Sequence, residues 1–244
     1  MQSLLWSSVV LVFFASTLTA QTGTIAERLG YARDVKLLIL HADDLGTAHS
    51  VNAASFDALN KGAISSASFM IPTPWISEVA AYAKAHPDAD LGIHLTLTSE
   101  WETYRWGSVA SSDKVPTLLD SSGTFPNDEA IVAKKAKPAE VEREIRAQLD
   151  RARALGIQST HADSHMRALF TTPELFAIYA KVARDHHIPF MATKEDPQGS
   201  PRAPLSGDVL VDAIMGVDPN TPPEKWKQYY LDAIAGLKPG SLTY

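Results

Sequence analysis

Apolar positions fall in two rhythms along this chain. Short continuous runs occur at 36–41 (KLLILH), 63–71 (AISSASFMI), 91–97 (LGIHLTL), 158–162 and 188–192, as expected of strands buried on both faces of a parallel sheet. Between them, apolar residues recur at helical spacing and predict helices over 51–61, 77–86, 140–155, 173–186 and 223–237. The strongest is 140–155, where Val141, Ile145, Leu149 and Ala152 share one face and Gly156 closes the helix. Residues 242–244 begin a further apolar run. Strands alternating with helices of this kind predict βα units and a parallel sheet, either a (β/α) barrel or a doubly wound sheet. There is no internal repeat and no nucleotide-binding glycine motif. The connection 98–138 is long for a compact domain, and such connections commonly carry function.

The first segment follows a different pattern. Residues 1–20 (MQSLLWSSVVLVFFASTLTA) carry no charged side chain and end on Ala20, which predicts a secretory signal peptide cleaved to leave a mature chain from Gln21. The segment falls short of the roughly 20 apolar residues that span a bilayer, so no stable membrane insertion is expected after cleavage. The remaining 21–244 are expected to form one extracytoplasmic domain, periplasmic or secreted.

Composition narrows the partners. The 22 basic and 28 acidic residues give a formal net charge of −6, which argues against nucleic acid as a main partner. The 45% hydrophobic content fits a globular chain and leaves room for a homo-oligomer. Cysteine is absent, so disulfides, thiolate metal sites and a cysteine nucleophile are excluded, and any metal must be held by Asp and His.

The candidate chemistry lies at strand ends. His41-Ala42-Asp43-Asp44 follows the first run, His94 lies inside the third, and His161-Ala162-Asp163-Ser164-His165 follows the fourth. Loops converge at the C-terminal rim of a parallel barrel, so these groups can meet there. One Asp and two His leave open positions on a divalent ion, as a catalytic site requires. Asp43 and Asp44 point in opposite directions on an extended strand, so both reach one cavity only if the chain turns sharply, and Leu45-Gly46 is the predicted turn. Of His161 and His165, four apart in a strand-to-loop context, only one need be a ligand. His41 and Asp163 are candidates to orient ligands. His161 is a candidate general acid. His86, His186 and His187 read as helix C-terminal residues. Trp101, Tyr104, Arg105 and Trp106, after His94, suit the faces and hydroxyls of sugar rings or else anchor the loop, whereas Trp75 reads as packing.

The blocks LILHADDLG, KGAISSASFMIP, DLGIHLTLTSEW and THADSHM, in that order between Leu37 and Phe190, resemble the YdjC-like (ChbG/HpnK) carbohydrate deacetylases. The resemblance implies a (β/α) barrel-like glycoside hydrolase/deacetylase fold and removal of acetyl groups from N-acetylated sugars such as chitooligosaccharides. It implies a divalent metal ion, Mg or Zn, held by Asp44, His94 and His165, with Asp43 as general base. Two departures stand out. Met166 and Arg167 follow Asp-Ser-His where many members carry further histidines. The segment Leu237-Lys238-Pro239-Gly240 leads only to Tyr244, so a last strand with its histidine is expected to be missing. The other readings are a degenerate sugar-binding protein and a metal-dependent hydrolase of another bond such as a phosphoester.

Overall fold

A computed structural model describes residues 23–194, 209–218 and 220–244, so the proposed signal peptide lies outside the described residues. A one-turn helix α1 (Ile25–Arg28) precedes β1 (Leu37–Leu38) and β2 (His41–Leu45). Then follow α2 (His49–Asn60), β3 (Ser66–Phe69), α3 (Ile76–Ala85) and β4 (Leu91–Leu95). A long connection holds α4 (Glu129–Lys135) and leads into α5 (Pro138–Ala154). The remainder is β5 (Ala162–Ser164), α6 (Pro173–Asp185), α7 (Trp226–Ala235) and β6 (Leu242–Thr243).

Among the described residues every strand pairing is parallel. One sheet runs β2-β3-β4-β5 and another joins β1 to β6. Single bridges Ala162–Phe190, Thr193–Val211 and Ala213–Thr243 link β5 to β6, so the pairing runs round a ring and returns to its first strand. This is an α/β fold of barrel-like form. The first strand explains one departure from the sequence reading. The expected run 36–41 divides at Ile39-Leu40: Leu37 and Leu38 pair with β6, and His41 onward pairs with β3. A closed parallel sheet needs this stagger, because its first strand serves a neighbour on each side.

Other departures have equally local causes. The strand expected at 158–162 falls on Ala162–Ser164, the residues that pair with Ile93–Leu95 of β4. The run 188–192 makes one bridge, at Phe190. The helix at 223–237 opens as a 3-10 turn, Pro223–Lys225. Helix α4 was not anticipated, although Asp128 caps it by accepting from the Ala130 N–H.

Helix α5 presents Val141, Ile145, Leu149 and Ala152 to the core, as its periodicity predicts. Beside them Glu140, Glu144 and Gln148 are also buried. Glu144 accepts from the Val109 and Ala110 N–H groups, Glu140 from the Thr117 N–H, and Gln148 brackets the Thr96 peptide. These buried polar groups satisfy backbone that would otherwise be orphaned, and so hold the long connection against the barrel wall.

Candidate metal centre

Between Ala42–Ala67 and Leu45–Phe69, β2 has two residues where β3 has only Ser68. This bulge is made by Asp44, whose φ of +63° is a left-handed conformation that Asp tolerates better than most residues. The turn therefore lies at Asp44 itself, ahead of the Leu45-Gly46 step the sequence suggested. Gly46 follows with φ +96°, and a Cβ there would meet the Thr73 Oγ1 at 2.7 Å. The bulge defeats strand alternation and aims both carboxylates at one imidazole. Asp44 Oδ1 is 3.5 Å and Asp43 Oδ2 3.9 Å from the His94 Nε2.

His94 rises from β4 and is buried. Its Nδ1 donates to the Asp163 Oδ1 at 2.6 Å, which leaves Nε2 bare and facing the two aspartates. Asp163, on the neighbouring β5, is held in turn by the Ser68 and Tyr244 hydroxyls, each donating at 2.9 Å to its Oδ2. His165 follows β5, where Met166 and Arg167 both have positive φ and turn the chain sharply. Its Nδ1 lies 3.1 Å from the Asp44 Oδ1, and its Nε2 lies 3.0 Å from the Glu100 Oε2.

One donor atom each from Asp44, His94 and His165 falls within 4.8 Å of the others. The buried Asp44 Oδ1 and His94 Nε2 have no hydrogen-bond partner, so the short His165–Asp44 approach is not an aligned hydrogen bond. An unpaired buried polar atom costs about 1–3 kcal/mol, and a cation among these atoms removes that cost. Two imidazoles and a carboxylate with open positions are donors that could hold a divalent ion, so these residues fit the kind of group that the family resemblance implies.

The charges here are mutually dependent. Burial would lower His165, but Asp44 and Glu100 on its two nitrogens hold it up to about 10. Burial would likewise lower His94, and Asp163 raises it above its ordinary value. Asp163 lies well below the usual carboxylate range, because His94 and His41 outweigh its burial. Asp44 is lowered for the same reason, through His165 and His94.

A family model described as YdjC-like protein matches residues 37–230. The chain belongs to the YdjC-like family. A carbohydrate deacetylase from Thermus thermophilus is 34% identical over 224 residues, covering 88% of this chain and 78% of that protein. One from Brevibacillus brevis is 37% identical over 152 residues, 62% of this chain and 57% of that protein. A crystal structure from Enterococcus faecalis V583, of a protein whose name proposes cellobiose-phosphate cleavage, superposes with TM-score 0.68 at 22% identity over 85% of this chain and 79% of that one, which bears on the fold alone.

In this YdjC-like chain the other candidates divide. Asp43 is exposed and lines a cavity of about 330 Å³ together with His41, His94, Asp163, Met166 and Tyr244. His41 bonds the Ser66 and Ser68 hydroxyls at 3.0 and 2.9 Å and lies below the triad. His161 bonds Asp90 and Thr160 at the opposite end of the strands, so the sequence-based acid role does not fit its position. It lies roughly 13 Å from His165 along the chain, at about 3.3 Å per residue. Arg105 is engaged by Asp120 at 3.0 Å and by the Phe125 carbonyl, and Trp106 is buried with its indole N–H on the Thr98 carbonyl. Both serve the loop rather than offering a free sugar contact. Trp101 is exposed, and Tyr104 donates to the Thr47 carbonyl. Trp75, expected to pack, is exposed beside His49.

The sequence reading missed Glu100, Tyr244 and Ser68. Serines at alternate positions 66 and 68 of an otherwise apolar strand were the available signal for a polar interior. Nothing in the sequence marked Glu100 out from its loop.

Proposed function

We propose that this chain is a metal-dependent hydrolase that removes acetyl groups from N-acetylated sugars, with chitooligosaccharide-like carbohydrates as the substrate class. The observation that carries the reading is the convergence of Asp44, His94 and His165 at three strand ends, with Asp44 Oδ1 and His94 Nε2 unpartnered and Asp43 exposed beside them. The carbohydrate deacetylase names of the relatives supply the reaction class. Zn²⁺ suits two imidazole nitrogens better than Mg²⁺, which favours oxygen ligands.

Asp44, His94 and His165 would hold the ion. When bound, it supplies Lewis-acid polarisation of the acetyl carbonyl and acidifies water. Asp43 takes a proton from the attacking water as the water oxygen bonds to the acetyl carbon, and returns that proton to the leaving nitrogen as the C–N bond breaks, releasing acetate and the free amine. Asp163 keeps the His94 proton on Nδ1, so Nε2 stays available. Trp101 and Tyr104, on the loop that carries Glu100, offer aromatic surface for a pyranose ring. The residues 1–20 pattern supports an extracytoplasmic location, where such polymers are met.

The test is acetate release from N-acetylglucosamine oligomers by the full chain supplied with Zn²⁺ or Mg²⁺, beside phosphate release from a general phosphoester. Metal-stimulated acetate release is expected. Phosphate release without acetate release would overturn the reading.

A further inference from the structure

Both candidate ligand histidines are backed by a carboxylate, yet the two carboxylates differ in origin. Asp163 backs His94 from the adjacent strand, inside the barrel. Glu100 backs His165 from the connection that follows β4, across 65 residues of sequence. Its loop is tightly held. Thr98 and Ser99 are fully buried, the Ser99 N–H donates to the Pro126 carbonyl at 2.7 Å, and Ser99 Oγ accepts the Trp106 N–H at 3.0 Å. The Trp106 indole N–H closes the same knot on the Thr98 carbonyl at 2.8 Å, and its ring lies 6.3 Å from the His165 ring. Glu100 therefore projects from rigid backbone, with the exposed Trp101 as its neighbour.

We propose that Glu100 is a positioning residue for the metal centre, accepting the Nε2 proton of His165 so that Nδ1 is the nitrogen turned to the ion beside Asp44 Oδ1. This rests on the metal-dependent reading above. A ligating histidine is oriented by what its other nitrogen donates to, and losing such a partner typically weakens metal binding 10–100-fold. The same contact ties the aromatic rim to the metal centre, because the backbone that fixes Glu100 also carries Trp101 and Tyr104.

The experiment is Zn²⁺ affinity of the full chain, measured by competition with a chromophoric chelator, for wild type, Glu100→Ala and Glu100→Gln, with the thermal midpoint of each metal-free protein. Glu100→Ala is expected to bind 10–100-fold more weakly at an unchanged midpoint. Glu100→Gln keeps an acceptor oxygen and is expected to recover most of the affinity. In the Zn²⁺-loaded wild type, ¹⁵N-edited imidazole spectra should show a His165 Nε2–H protected from solvent exchange, a protection lost in Glu100→Ala. Glu100→Ala binding Zn²⁺ as tightly as wild type overturns the inference alone. Glu100→Gln as weak as Glu100→Ala also overturns it, by making Glu100 a direct ligand. A wild-type chain that takes up no divalent ion overturns the deacetylase reading and this inference with it.

Discussion

The rim and the floor of this barrel use the same side chains to different ends. At the rim, Asp44 Oδ1 and His94 Nε2 converge with no hydrogen-bond partner, on backbone forced to positive φ at Asp44, Met166 and Arg167. On the floor, His41, His161 and Asp163 also bring donor atoms within 4.8 Å of one another. There, however, His41 spends both nitrogens on Ser66 and Ser68, and Asp163 spends both oxygens on His94, Ser68 and Tyr244. Only His161 Nε2 is left over, above a glycine whose missing side chain makes room for the ring. Residue type therefore does not distinguish a metal centre from a structural polar core. The distinction lies in whether the lone pairs and protons are already used, and in whether backbone strain is spent to keep them unused.

The largest effect that would sharpen this contrast belongs to Asp43. It sits exposed at the rim, outside the proposed ligand set of Asp44, His94 and His165. Asp43→Asn should keep Zn²⁺ uptake while turnover of N-acetylated sugar falls by about 10²–10⁴-fold. Loss of metal uptake in that variant would move Asp43 into the ligand set.

The floor should respond through stability. A Cβ at position 92 would fall on the His161 imidazole, so Gly92→Ala should destabilise the chain by about 1–3 kcal/mol in urea unfolding with Zn²⁺ affinity unchanged. An unchanged unfolding midpoint would contradict this packing.

The smallest effect is expected at Asp90. Burial would raise its carboxyl, but hydrogen bonds from His161 and Thr160 hold it at about 2, below the ordinary 3.8. A depressed carboxylate contributes stability above its unfolded pKa and loses it as pH falls through the folded value. Wild type should therefore lose thermal stability more steeply than Asp90→Asn between about pH 4 and pH 2, and parallel curves would dismiss the contact.

The strand ends were legible because each pairs a short apolar run with a polar terminus, as in LLIL before His41 and GIHL around His94. Alternation of βα units gave the fold class. What stayed hidden depends on contacts distant in sequence or on backbone geometry. The Asp44 bulge breaks the two-residue alternation that makes strands readable. Glu100 matters only because folding brings it to His165. Glu140, Glu144 and Gln148 looked like the wet side of an amphipathic helix, and are instead the buried anchors of the long connection.

The rim-against-floor account meets its most direct test in the bound-metal stoichiometry of three full-length proteins dialysed from Zn²⁺. It predicts one ion per chain for wild type and for His161→Gln, and none for His165→Gln. Retention of the ion by His165→Gln, or its loss in His161→Gln, would contradict it.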